Sequence, residues 1–303
     1  MGELCNKSKQ YLCQQEKDFY RQCFVRTGNK LTELSFPCVM GILNVTPDSF
    51  YAQSRKQDED AVLLRCRQII EEGGSWIDIG GYSSRPGSDM PSADEELLRL
   101  CRAMDVLRSH FPDFPVSVDT ARVVVAERMV KDYGVAMIND ISGGSLDKAL
   151  FYTVADLHVP YVLSHIQGVP GNMQDNPVYD DIMQEMSLYF EEKISELRSI
   201  GVNDIILDPG FGFGKLWEHN RTILRELDSL KNHGLPIMVG VSRKTMIYKT
   251  LGVSPEKALN GTTVAHVFAL MRGVDFLRVH DVREAVECVR LTGEFGLGCN
   301  SQK

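Results

Sequence analysis

Eight short apolar runs recur along this chain, at residues 38–43, 76–80, 115–118, 136–138, 161–163, 205–207, 237–241 and 276–277, and a helix-like segment follows each. Nearly all end in a polar or charged residue: Asn44, the turn from Gly81 to Pro86, Asp119, Asn139, His165, Asp208, Ser242-Arg243-Lys244, and Arg278 with His280. Short apolar runs bounded by turn signals read as strands buried on both faces, and their alternation with helices specifies a parallel sheet. Eight such units predict an α/β fold, a (β/α)8 TIM barrel. In that fold the site is built at the C-terminal ends of the strands, which is where these polar residues fall.

A chain of 303 residues is long enough for one such core. The net charge of −8 argues against non-specific nucleic-acid binding. It leaves room for an anionic substrate, because Arg85, Lys215, Arg243, Lys244, Arg278 and His280 all fall at or just past predicted strand ends. The eight cysteines form no C-x-x-C pair, so neither a structural zinc site nor a redox dithiol is expected. No secretory segment and no apolar run of about 18 residues is present, and the expectation is a soluble cytoplasmic protein with no membrane partner.

Residues 1–36 read as an N-terminal extension and a β-hairpin over 21–36, with Gly28-Asn29 as its turn. Residues 37–296 form the barrel and 297–303 a tail. Helices are expected over 58–72, 92–109, 121–131, 146–155, 179–199, 215–232, 255–272 and 283–292, the second opened by Ser92 and Glu95 at capping-box spacing.

The strand ends carry distinct chemistry. Asp208-Pro209-Gly210-Phe211-Gly212-Phe213-Gly214-Lys215 looks like a phosphate loop, but Pro209 stands for its first glycine and Leu216 for its hydroxyl. What remains is a carboxylate before a pliable loop, able to accept paired hydrogen bonds from a 2-amino-4-oxo-pyrimidine edge or to act as a helix cap. Asp119 suits either a ligand or the cap of the next helix. Asn139 offers both a donor and an acceptor. Arg278 and His280 share one face of a strand and make a diphosphate clamp, or else Arg278 forms a buried ion pair, with Asp281 as the candidate partner, and His280 is a core histidine. Asn44 to Phe50 and Gly80 to Gly87 are loops able to close over a ligand.

At these residues, from about Pro37 to Leu291, the chain resembles the dihydropteroate synthases. Gly41 to Phe50, Asp78-Ile79-Gly80-Gly81 with Ser84-Arg85-Pro86-Gly87, Ser117 to Thr120, Ile138-Asn139-Asp140, Asp208 to Lys215, Ser242-Arg243-Lys244 and Arg278 to Asp281 match the family's motifs in order. The resemblance implies a transferase of folate biosynthesis that joins 4-aminobenzoate to a dihydropterin-methyl diphosphate by an SN1-like step. It implies that Asp119, Asn139, Asp208 and Lys244 hold the pterin, and that Asn44, Arg278 and His280 hold the diphosphate, with Mg2+ at Asn44. Ser84, Arg85, Pro86, Phe213, Lys244 and Thr245 would form the aminobenzoate side, where sulfonamides compete. Asp119, Lys244 and Arg278 would be catalytic, and the enzyme a homodimer. Two alternatives are a pterin-binding paralogue without turnover and a pterin-dependent methyltransferase. Departures from the family pattern stand at Tyr51-Ala52-Gln53-Ser54, Trp76, Tyr82, Ser84, Ser164 and Ile166.

Overall fold

The computed structural model describes residues 21–27, 30–46, 55–82, 90–168, 173 and 177–296. Two strands, β1 (Arg21–Thr27) and β2 (Lys30–Phe36), pair antiparallel from Arg21↔Phe36 to Thr27↔Lys30. This is the expected hairpin; its turn residues Gly28 and Asn29 lie outside the described residues. Eight parallel strands follow: β3 (Cys38–Asn44), β4 (Trp76–Gly80), β5 (Val116–Asp119), β6 (Met137–Asp140), β7 (Tyr161–Ser164), β8 (Ile205–Asp208), β9 (Met238–Val239) and β10 (Phe276–Val279). Their order is β8-β7-β6-β5-β4-β3-β10-β9, and a parallel bridge from Leu207 to Ile237 brings the two edges together into the barrel.

Helices α1 (Arg55–Glu71), α2 (Ala93–His110), α3 (Val123–Tyr133), α4 (Leu150–Leu157), α5 (Ile182–Ser199), α6 (Trp217–Arg225), α7 (Thr245–Leu251), α8 (Leu259–Met271) and α9 (Val282–Glu294) surround it. The Ser92–Glu95 capping box forms as expected, the Ser92 N–H donating to Glu95 Oε2 and the Glu95 N–H to Ser92 Oγ. The single helix expected over 215–232 is instead α6 followed by a 3-10 segment, Leu227–His233. The helix expected from residue 146 starts at Leu150: the Asp140 carboxylate accepts from the Ser142 and Gly144 N–H groups, and Asp147 Oδ1 accepts from the Ala149 N–H, so the preceding residues are held in turns.

The period of two in each strand sorts the core into two shells. Val39, Ile77, Ile79, Val116, Val118, Ile138, Leu163, Leu207, Val239 and Leu277 face the helices. Met40, Trp76, Met137, Val162, Ile206, Met238 and Phe276 pack together with Val25, Leu34 and Phe36 of the hairpin. The hairpin thus closes the N-terminal end of the barrel with an apolar floor. Phe36 meets Phe276 edge-on, ring centroids 5.3 Å apart. Gly41 lets α1 approach β3, since a Cβ there would lie 2.6 Å from an Ile69 methyl.

Phe36→Ala removes a buried ring from this floor and is expected to destabilise the fold by about 3–5 kcal/mol. Denaturant unfolding with an unchanged slope checks it.

Candidate active site

One step above the apolar floor, the inward positions turn polar. On β4 the inward set is Trp76 then Asp78; on β5, Ser117 then Asp119; on β6, Met137 then Asn139; on β7, Val162 then Ser164; on β8, Ile206 then Asp208; on β10, Phe276 then Arg278. Arg278 organises this layer. Its Nε donates to Asp78 Oδ2 at 2.6 Å and its Nη2 to Asp119 Oδ2 at 2.7 Å. Asn139 Nδ2 donates to the same Asp78 oxygen at 3.2 Å. Burial alone would pull the guanidinium down, but Asp78 and Asp119 outweigh it and hold it above its ordinary range.

Several acceptors in this layer are left open. Asp78 Oδ1, Asp119 Oδ1 and Asn139 Oδ1 are buried without a hydrogen-bond partner among the described residues, as are the Ser117, Ser164 and Tyr82 hydroxyls. Buried polar atoms normally find partners, so a cluster of unpartnered ones at the mouth of a barrel marks a place where a ligand or water belongs. Burial pushes the Asp119 carboxyl up to about 7 despite Arg278, and Asp78 adds to the rise. Asp208 is likewise raised by burial, opposed by the Gly210 N–H, which donates to its Oδ1 at 2.7 Å, and by Lys244.

The loop after β8 is rigid for stated reasons. Gly210 has φ +65, and a Cβ there would lie 2.1 Å from the His165 carbonyl oxygen. The Gly212 N–H donates to Asn220 Oδ1 at 2.8 Å, and Lys215 is turned inward, donating to the carbonyls of His165 and Phe213 at 2.9 Å each. Burial lowers the Lys215 ammonium to about 7. This lysine therefore braces the loop instead of cradling a phosphate. Lys244 Nζ lies 4.3 Å from the centroid of the Phe213 ring, and burial with nearby Arg278 lowers it to about 8. Tyr82, Ile141, Ile166, Met173 and Phe213 form a small buried apolar cluster. Ile166, one of the departures from the family pattern, is buried in this cluster next to His165. Burial drives the His165 imidazole down to about 2, so it is neutral, and it meets Tyr189 edge-on at 5.0 Å.

Asn44 is half-buried at the end of β3, its Oδ1 beside Gly80, and His280 is exposed at the mouth past β10. Thr245 opens α7, exposed, with its hydroxyl 3.2 Å from that of Tyr248. The structure thus gathers Asp119, Asn139, Asp208, Phe213, Lys244 and Arg278 at one end of the barrel. Ser84, Arg85 and Pro86 lie outside the described residues, as does the departing loop from Tyr51 to Ser54. Arg278 forms the buried ion pair that was one of its two readings, but with Asp78 and Asp119; Asp281 pairs with Arg243 instead. Sequence reasoning gave Asp78 no role, because it sits inside a strand and not at its end. Its signal was the period of two: it is the one charged residue in an apolar strand and shares a face with Gly80.

The model of the pterin binding enzyme family matches residues 40–280. The dihydropteroate synthase of Escherichia coli (strain K12) is 40% identical over 261 residues, 86% of this chain and 92% of that one. This chain belongs to the dihydropteroate synthase family. Among solved structures, the Yersinia pestis dihydropteroate synthase with a sulfonamide drug complex has a TM-score of 0.81 at 38% identity, covering 89% of this chain and 98% of that one. The Xanthomonas albilineans dihydropteroate synthase with 4-aminobenzoic acid also gives 0.81, at 35% identity, covering 89% and 97%.

In this member of the dihydropteroate synthase family, Asp78→Asn removes one of two anions beside Arg278 and frees that cation for Asp119. The Asp119 carboxyl, now at about 7, is expected to move to lower pH. Carboxyl-carbon NMR titration reads the shift; an unchanged or higher value would contradict the coupling.

Proposed function

We propose that the chain is an active dihydropteroate synthase, a transferase that joins 4-aminobenzoate to (7,8-dihydropterin-6-yl)methyl diphosphate and releases diphosphate. The observation that carries this reading is the set of open buried acceptors, Asp119 Oδ1 and Asn139 Oδ1 beside Asp208, in a chain of this family. A pterin presents a row of N–H donors along its 2-amino-pyrimidinone edge, and carboxylates accept such pairs side by side. Asp119, Asn139 and Asp208 accept from the ring. Lys244 donates to its acceptor edge and covers the space between the pterin and Phe213.

The C–O bond to diphosphate breaks first, and the dihydropterin ring electrons stabilise the methylene cation left behind. Asp119 and Asp208 favour that developing charge. Arg278 and His280 face the departing diphosphate, Arg278 through Nη1, which has no hydrogen-bond partner among the described residues. The amine of 4-aminobenzoate, held against Phe213 and Thr245, then attacks the methylene and releases a proton to solvent; Ser84, Arg85 and Pro86 are proposed for the aminobenzoate side from the resemblance alone.

Among the described residues, no three His, Cys, Asp or Glu side chains gather as a metal site. Magnesium is proposed on the family resemblance alone, and Asn44 Oδ1 at the end of β3 would be the protein oxygen that holds it. When bound with the diphosphate it would neutralise leaving-group charge. The protein is proposed to work in the cytoplasm as a homodimer.

Diphosphate release measured with and without 4-aminobenzoate, at fixed magnesium, tests the reading. Release that requires the amine, with dihydropteroate formed, is the expected result. Pterin binding without product would identify a paralogue without turnover. Asp208→Ala and Lys244→Ala are each expected to abolish pterin binding or turnover, and wild-type kinetics in both would overturn the assignment.

The pH dependence follows from Asp119. Its folded value of about 7 lies above its ordinary 3.8, so protonation on acidification stabilises the folded state relative to the unfolded one. The same proton removes an acceptor for the pterin. kcat/KM is therefore expected to fall below about pH 7 while the protein stays folded, and the limb disappears in Asp119→Asn. A pH–rate profile alongside circular dichroism checks both.

A further inference from the structure

Two non-glycine residues among those described have a positive φ, His158 at 53° and Arg243 at 53°. His158 is the C-cap of α4, an ordinary place for it. Arg243 caps nothing. It stands between Ser242 and Lys244, in a backbone region that glycine enters freely and side chains rarely do. Its side chain accounts for its presence. Nε and Nη2 donate to the two Asp281 oxygens at 2.8 Å each, a two-pronged pair, and Nη1 donates to the carbonyls of Pro255 at 3.0 Å and Glu256 at 2.6 Å. The Arg243 N–H donates to Thr262 Oγ1 at 3.1 Å. The positive charge read from the sequence at this position is therefore spent within the protein.

The neighbours of this pair are the point. Lys244 follows Arg243 directly and faces the ring of Phe213; His280 precedes Asp281 directly and stands at the mouth. The His280 N–H donates to Ser242 Oγ at 3.3 Å, and its carbonyl accepts from Arg65 Nη2 at 2.6 Å, while Arg65 Nε donates to the Ile42 carbonyl two residues before Asn44. The ends of β9, β10 and β3 are thus fastened together, with the ion pair at the centre.

We propose that Arg243 and Asp281 are a positioning pair which fixes Lys244 relative to His280, so that one contact aligns the pterin half of the site with the diphosphate half. This rests on the function proposed above. A fork that meets both carboxylate oxygens fixes orientation as well as distance, which an ammonium cannot do. Neither residue touches substrate in this account.

The test uses Arg243→Gln, Asp281→Asn, their double variant and Arg243→Lys. kcat/KM is measured with both substrates, and calorimetry at fixed magnesium gives affinities for 6-hydroxymethylpterin and for inorganic diphosphate separately. Misplacement of this kind costs about ten- to a hundredfold in kcat/KM, and each single variant is expected to fall in that range and to bind both ligands more weakly. The double variant is expected to be no worse than the worse single one, because the two act as a unit. Losses that multiply in the double variant would overturn the proposal. So would a lowered melting temperature with wild-type affinity for both ligands. If Arg243→Gln does not fold, Asp281→Asn and Arg243→Lys carry the test, and wild-type affinities in either overturn it. A wild-type protein that binds neither ligand overturns the functional reading instead.

Discussion

The guanidinium of Arg278, held between Asp78 and Asp119, is the contact on which the rest of the site depends. A charge taken out of water costs several kcal/mol unless partners with good geometry meet it, and here two carboxylates do so from the neighbouring strands β4 and β5. The arrangement has a consequence for each partner. Asp78 spends one oxygen on Arg278 and Asn139, which fixes the amide of Asn139 with its oxygen free. Asp119 gives one oxygen to Arg278 and keeps the other open. One ion-pair network thus orients three acceptors towards the same space without itself filling it.

The fold makes this affordable by separating two kinds of interior. Below, the hairpin and the ring of Met40, Trp76, Met137, Val162, Ile206, Met238 and Phe276 form a dry floor. Above, two residues further along β4, β6, β7, β8 and β10, the interior is carboxylate, amide, hydroxyl and guanidinium. Around this layer the loops are fastened by cations used structurally, the buried Lys215 beneath the glycine-rich loop and the half-buried Arg243 in the turn after β9. Positive charge at the mouth is therefore sorted into groups that brace the backbone and groups, Lys244 and Arg278, that face the site.

The architecture was legible because strand and helix periods alternate along the chain and polar residues punctuate each strand. That signal located Asp119, Asn139, Asp208 and Arg278 without any structure. It was blind to residues whose role depends on which strands become neighbours. Asp78 and Arg278 are 200 residues apart, and only closure of the sheet through β3 and β10 brings them together. The partner of Asp281 was equally hidden, since a left-handed backbone at Arg243 cannot be read from a sequence that has arginine there. The helix limit near residue 146 was hidden because the carboxylates of Asp140 and Asp147 hold the turns before α4.

The central claim is that the open acceptors of the barrel layer exist to receive the amino edge of a pterin. The most direct measurement compares, by calorimetry, the affinity of 6-hydroxymethylpterin with that of its counterpart lacking the 2-amino group. Leaving buried carboxylate and amide oxygens without their donor should weaken binding by at least about a hundredfold. Equal affinity for the two would mean that these oxygens do not read the pterin edge, and that the assignment of Asp119, Asn139 and Asp208 is wrong.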